Sequence, residues 1–531
     1  MVQEQVKTLP VKEAFSKWFI DDMGVNNIPP QFAGYVRNAR IKNKSITIRP
    51  WRTTILTNPY PWYIQGMTFN RELLFNANGN LCNLWGILWP LFGVNNDVNY
   101  INYGKYTIIL TGVGNPRVWD WSTLTPISDT FMPFDNDVST DFNCPLKPII
   151  GTAFTGFTMF AGNIPWYDNI MYISQPIGRD KTANTFELPY RRQLPITPTA
   201  DSAEYRIFKS KILWMVANYN NLYVFCEDTI ETLWVNSAVT VGSIVSLFTQ
   251  PIGDGDRIAW PRAGVSVGNK IFYLTKTKSI KTINYIPWIA NPEIGDLDNT
   301  AGASILWFMQ RELNADQSKA VAVYIKSDET VRFYVRSNAS PFENDLCLVY
   351  DLENQTFLVD DSKRFSISIQ WDDDKVYAGD MVSSNVYQDD NWFTDSGSSI
   401  PFEYDTPNYG MWSPNFIKQF RGYTIAWGIN TTTSLQVNVF IDWVLKDTQN
   451  ITSAKINPAE LWTVNIWWTN FAPWPTTLYP FTFTIDHWQI RLNGKKIRIQ
   501  ILVTSLVPWF YLDALSFIVR PKGRYELSDV L

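Results

Sequence analysis

The chain holds a single histidine, His487, among its 531 residues. That scarcity excludes a multi-histidine metal centre, and a Ser-His-Asp or Cys-His mechanism would have to run through this one imidazole. His487 lies in TIDHWQIRL, where an ordinary strand or loop histidine is the simpler reading. Cysteine is almost as rare. Cys82, Cys144, Cys226 and Cys347 stand far apart with no CxxC spacing, which argues against a zinc or dithiol motif. Buried free thiols in a protein assembled in a reducing cytoplasm are expected, rather than a disulfide framework. No run of about 18 apolar residues occurs, and the N-terminal MVQEQVKTLPVKEAFSKWF lacks an apolar core followed by small residues. Neither a signal peptide nor stable membrane insertion is therefore expected. Basic charge is not clustered into a block, and the formal net charge is −5. A sequence-specific nucleic-acid binder would show a concentrated Lys/Arg footprint, whereas passive contact with DNA needs none. The nearest approach to a phosphate loop, TGVGNP at residues 111–116, lacks the Walker lysine and precedes no helical pattern. No cofactor and no bound metal are expected.

What the chain does have is aromatic and apolar mass. Its 24 Trp, 25 Tyr and 32 Phe within a 45% hydrophobic composition exclude a disordered chain and suit strands and interfaces. The length exceeds one ordinary core, so two or three domains are expected.

The organising pattern is clearest between Tyr205 and Tyr285. Apolar runs at 212–217, 222–226 and 230–235 are separated by turn-rich residues, an antiparallel meander of short strands. Val265 to Val267 and Ile271 to Leu274 repeat the scheme around Gly268 and Asn269, a two-residue hairpin turn. These strands lack clean apolar/polar alternation, so both sheet faces should be covered, as in stacked propeller blades. Similar units begin at Trp62, Tyr106 and Thr152, and again beyond the SILWFMQRELNADQ segment, which reads as a short helix. A spacing of roughly 40 to 55 residues is that of four-stranded blades. About six are expected. Val11, Phe15, Trp18 and Phe19 sit at helical spacing near the N-terminus, and Pro29 and Pro30 then open an extended arm. The polar break QDDNWFTDSGSS ends the repeats; beyond it Leu435, Val437, Val439 and Ile441, and later Ile497, Ile499, Ile501 and Val503, alternate with polar residues. One wet and one dry face suggest a two-sheet sandwich. The expected class is all-β: residues 1–60 an N-terminal helix and arm, 61–390 a β-propeller, 391–531 a β-sandwich platform.

Three sets of residues could carry function. Asp254 and Asp256 in GDGDR, and Asp372 to Asp374 in QWDDDKVY, could supply the paired carboxylates of a glycosidase or, for the first pair, hold a cation. Solvated turns account for both more simply. Trp462, Trp467, Trp468 and Trp474 in LWTVNIWWTNFAPWP could stack on sugars, but so apolar a cluster fits a subunit interface better. Arg37, Arg40, Lys42, Lys44, Arg49 and Arg52 form the one modest basic cluster, read either as a solvated arm face or as a grip on an acidic neighbour. With Trp18, the residues Arg37, Arg40, Arg49 and the four tryptophans are the interface candidates.

The order of NNIPPQFAGYVRNARIKNKSITIRPW, YIQGMTFNRELLFNANGNL, NNLYVFCEDTIETLWV, IGDGDRIAWPRAGVSVGNKIFYLTKTKSI, LCLVYDLENQTFLV with KVYAGDMVSSNVYQDD, and KKIRIQILVTSLVPWFYLDALSFIVRPKGRY resembles the tail nozzle proteins of short-tailed bacteriophages, also called head-completion or packaged-DNA stabilisation proteins. The resemblance implies a propeller carrying a sandwich platform, present as a homo-oligomer of six copies in a ring. The ring would dock below the portal and adaptor proteins of a virion, having been assembled in the host cytoplasm. It would surround a channel in which double-stranded DNA makes passive contact, and would offer docking surfaces to tail fibre or spike proteins. The alternative from composition alone is a carbohydrate-binding propeller or a glycoside hydrolase or lyase.

Overall fold

The computed structural model describes residues 7–11, 33–42, 45–57, 63–90, 97–104, 106–112, 116–126, 148–154, 157–162, 168–173, 205–235, 247–253, 257–284, 292–297, 305–340, 342–361, 363–370, 375–391, 399–409, 416–430, 434–452, 481–505 and 511–524. The N-terminal helix expected around Trp18 lies outside these residues, and Lys7–Val11 is a strand.

Local chemistry sets the hairpins. Asn78 and Gly79 both take positive φ (49° and 71°) between Glu72–Ala77 and Asn80–Asn83. This is the backbone that a two-residue turn needs to match the twist of its strands. Gly268, with φ 55°, turns Gly264–Val267 into Lys270–Leu274 as the sequence anticipates. The described residues are mostly strand, and their one α-helix is Leu306–Glu312, seated by buried Phe308 and Met309.

Among the described residues, seven four-stranded antiparallel units follow one another. They span residues 64–90, 99–126, 150–207, 212–253, 264–296, 321–361 and 365–391, and are called the first to seventh sheets here. The seventh holds three strands in sequence, and its fourth is Trp51–Leu56, which pairs antiparallel with Val386–Asn391. The leading strand of each sheet lies against that of the next, and Phe365–Gln370 of the seventh returns to Ile64–Asn70 of the first, so the succession closes into a cycle. Seven units thus stand where about six were expected. Their buried surfaces join through Phe225, Tyr273, Phe272, Tyr350 and Phe357, whose ring centroids lie 4.7 to 5.9 Å from aromatic neighbours, a separation at which such rings attract.

The C-terminal strands form two larger sheets. One continues the sixth sheet: Thr356–Asp361 pairs parallel with Tyr35–Arg37, which pairs with Ile400–Asp405, and Ile497–Ser505, Ser434–Ile441 and Val444–Thr452 follow, nine strands in all. The other is built on the long strands Phe416–Asn430, Phe481–Gly494 and Tyr511–Arg524, with Lys7–Val11, Ala39–Lys42 and Ser45–Ile48 at its flank. Leu435, Val437, Val439, Ile441, Ile497, Ile499, Ile501 and Val503 are all buried, as their alternation predicts. They share one core cluster with Phe420, Tyr423, Ile425, Phe517 and Val519 of the second sheet. At about 1.5–3 kcal/mol for each large aliphatic side chain removed from water, this alternation is what stabilises the pairing of the two sheets.

Candidate functional site

Two places concentrate chemistry, and the first lies where the leading strands converge. A cavity of about 250 Å³ is lined from every one of the seven sheets, by Met67, Tyr100, Ile150, Trp214, Gly264, Ala322 and Ser368 among others. Arg262, just ahead of the fifth sheet, spans it. Its Nη2 donates to the carbonyl oxygens of Gln65 at 2.7 Å and Val98 at 2.6 Å, and its Nε to Asn99 Oδ1 at 3.3 Å. Those acceptors belong to the first and second sheets or their approach, on the far side of the cycle. Arg262 is therefore a strut across the axis.

A second cation backs it. Lys319 Nζ donates to Asp97 at 3.2 Å and to Tyr63 Oη at 3.2 Å, and lies 5.3 and 5.5 Å from the ring centroids of Tyr63 and Trp260. These four residues sit just before the first, second, fifth and sixth sheets, so they crowd the end of the axis where the leading strands begin. Close backbone approach here requires glycine: a Cβ on Gly66 would stand 2.2 Å from the Val98 carbonyl oxygen, and one on Gly264 would stand 2.4 Å from the Trp214 ring. Among the described residues, none that lines the cavity carries a carboxylate, imidazole or thiol. The arrangement can hold a negative charge or a hydrogen-bond acceptor.

The second place is the seam between the arm and the sixth and seventh sheets. Arg40 donates to both oxygens of Asp360, at 2.8 and 2.7 Å, and Arg37 pairs with Asp361. Asn38 also donates to Asp361, while Arg49 donates to Asn38 Oδ1 at 3.0 Å. Deeper in, Asp389 Oδ2 accepts from Arg332 at 3.0 Å and from Lys363 at 2.7 Å, all three side chains being fully enclosed. Arg52 rests over the rings of Tyr387 and Phe365, at 4.9 and 5.7 Å. Burial alone would raise the Asp360 carboxyl, but Arg40, Lys363 and Arg49 hold it far below the usual carboxylate range. Such charges persist inside a protein only because each is paired.

Of the interface candidates, Arg40 and Arg49 are thus enclosed within their own chain, and Arg37 is engaged by Asp361. The acidic neighbour that the basic cluster grips is the strand Thr356–Asp361. Trp18, Trp462, Trp467, Trp468 and Trp474, as well as Asp254, Asp256 and Asp372 to Asp374, lie outside the described residues; His487 falls in the strand Phe481–Gly494. Arg262 and Lys319 were missed by sequence reading. The only signal was a pair of isolated cations a few residues ahead of a strand, which nothing local distinguishes from solvated loop residues.

No family model matches the chain, and no curated protein matches it. Among solved structures, YCF48 bound to D1 peptide is 10% identical with a TM-score of 0.37, the match covering 64% of this chain and 95% of that one. The computationally designed Ika8 protein is 10% identical with a TM-score of 0.36, covering 67% and 96%. The N-terminal domain of Nup159 is 7% identical with a TM-score of 0.34, covering 66% and 98%. At these scores the likenesses carry no argument about this chain.

Proposed function

We propose that the chain is a structural, non-enzymatic subunit of a short-tailed bacteriophage tail, one of a ring of six. In this reading the seven sheets are a β-propeller, the two larger sheets are its sandwich platform, and the ring is the nozzle below the portal and adaptor. Packaged double-stranded DNA is retained by the ring and passes through it on ejection, while its outer faces take fibres or spikes.

The observation that carries the reading, beside the sequence resemblance, is the fusion of the two parts. One nine-stranded sheet runs from the sixth sheet into the platform through Tyr35–Arg37, and the buried ion pair of Arg40 with Asp360 clamps the same seam. A load-carrying subunit needs its parts held against relative rotation; a sheet shared between them and a buried ion pair that cannot separate without leaving a charge uncompensated supply that. The axis of the seven sheets is a cavity of about 250 Å³ crossed by Arg262. A duplex on the order of 20 Å wide, with a major groove of about 12 Å, cannot thread it. The conduit is therefore a space between subunits, which makes oligomerisation a requirement of the function.

Exposed apolar residues offer contacts for such a ring. Trp85 (92% exposed), Ile87 and Trp89 lie at the outer edge of the first sheet, and Trp443, Val444 and Leu445 at a platform hairpin. Two different patches suit a head-to-tail contact that closes on itself. The testing experiment is electron microscopy of the purified chain. Rings with a central opening of about 20 Å or more support the reading. Single subunits alone, both in solution and within particles, refute it.

A further inference from the structure

The strut on the axis has unused capacity. Of the five N–H groups of the Arg262 guanidinium, Nε and both hydrogens of Nη2 have acceptors in Asn99, Gln65 and Val98. Among the described residues, Nη1 has neither an acceptor nor a carboxylate partner. It is also not among the atoms sealed away from solvent-sized space. Lys319, the other cation of this region, is already neutralised by Asp97. Of the polar neighbours, Asn99 Nδ2 donates to the Ile149 carbonyl, Ser368 Oγ to the Tyr377 carbonyl and Thr68 Oγ1 to Asn102, whereas the buried Tyr100 hydroxyl has no hydrogen-bond partner among the described residues. Arg262 and the unpartnered Tyr100 hydroxyl therefore share a cavity whose wall also carries the apolar and aromatic side chains of Met67, Ile150, Trp214 and Ile367. A single anion with its own apolar cover would accept from both unpartnered donors at once.

We propose that this axial cavity binds a small organic monocarboxylate, its carboxylate accepting from Arg262 Nη1 and its apolar body lying against Met67, Ile150 and Trp214. Size supports the class. A cavity of about 250 Å³ has room for a compact organic acid. One unpaired cation matches a monoanion, and the flat ring of Trp214 matches an aromatic or short branched body. The inference does not depend on the tail-ring reading.

The probe is benzoate, with the neutral isostere benzamide as control, titrated calorimetrically into the full chain. Saturable one-to-one binding of benzoate in the millimolar range or tighter is expected, with benzamide and the Arg262→Gln variant each at least tenfold weaker. Because loss of Arg262 removes ties between opposite sheets, Ala322→Leu is a second variant; it keeps the charge, narrows the cavity and should also weaken benzoate. A crystal soaked in 4-bromobenzoate should place the bromine inside the cavity by its anomalous signal. Equal binding of benzoate and benzamide, no saturation, or bromine found only elsewhere overturns the proposal, and the wild-type measurements decide the matter even if Arg262→Gln fails to fold.

Discussion

Removing Asp389 should loosen the closure of the whole cycle of sheets. Its Oδ2 accepts from Arg332 on the sixth sheet and from Lys363 on the approach to the seventh, and none of the three side chains is accessible. Asp389→Ala deletes two charge-assisted hydrogen bonds, each worth about 1.5–3 kcal/mol. The remaining carboxylates compensate only in part: Asp360 stands 3.7 Å from Lys363 and is already held by Arg40, and Asp328 at the edge of the cluster keeps Arg332. The expected loss is about 3–5 kcal/mol, as for other buried pairs broken on one side. With a slope near 3 kcal/mol/M, the urea midpoint should fall by roughly 1–1.7 M. Hydrogen exchange should quicken first in Val386–Asn391 and in Trp51–Leu56, the strand pair that Asp389 adjoins. Replacing all three charges with apolar residues of similar volume (Arg332→Met, Lys363→Met and Asp389→Leu) should recover much of the loss, because no buried charge is then stranded. A loss below about 1 kcal/mol for Asp389→Ala would refute the view that these ion pairs hold the seam.

Other perturbations test other parts. Burial pushes the Asp405 carboxyl up to about 7 despite Arg498 at 3.2 Å. The folded chain then keeps a proton that the unfolded chain gives up near 3.8. Stability contributed by this group is full below about pH 4 and lost as pH rises towards 7, up to about 4 kcal/mol over three units; denaturation across that range should show the slope, and Asp405→Asn should flatten it. Gly66→Ala places a Cβ 2.2 Å from the backbone oxygen of Val98 and should cost about 1–3 kcal/mol by forcing the first and second sheets apart, read as a lowered melting temperature. The double change Trp85→Ser and Trp89→Ser alters exposed side chains and should move stability by no more than about 0.5 kcal/mol per site. It should nonetheless reduce the ring fraction in native mass spectrometry; unchanged rings would remove this edge from the subunit contact.

The elements that sequence reading recovered are those specified by local chemistry. The hairpin at Gly268, the helix at Leu306–Glu312 and the alternating strands around Val437 and Ile499 each carry their own turn residues or period. Closure of the cycle does not. Trp51–Leu56 reads as part of an extended arm, and only its pairing with Val386–Asn391, more than 300 residues away, makes it the last strand of the seventh sheet. The expectation of about six rests on the spacing of the repeats alone, which does not show that the seventh sheet is completed by a strand from the arm. The ion pairs follow the same logic. Arg40 and Asp360 are separated by 320 residues, and nothing near either identifies the other as its partner, so the basic cluster was recognisable while the strand it grips was not. Arg262 was illegible for a different reason: its role depends on convergence of strands at an axis, a property of the assembled cycle rather than of any segment.

The most direct test of the tail-ring account is electron microscopy of the full chain at micromolar concentration, with short duplex DNA added. The account predicts closed rings, six-fold, whose opening of about 20 Å or more lies between subunits and admits the duplex, each subunit showing a filled axis at Arg262. Particles of one subunit that never close, or duplex density running through the seven-sheet axis itself, would contradict it.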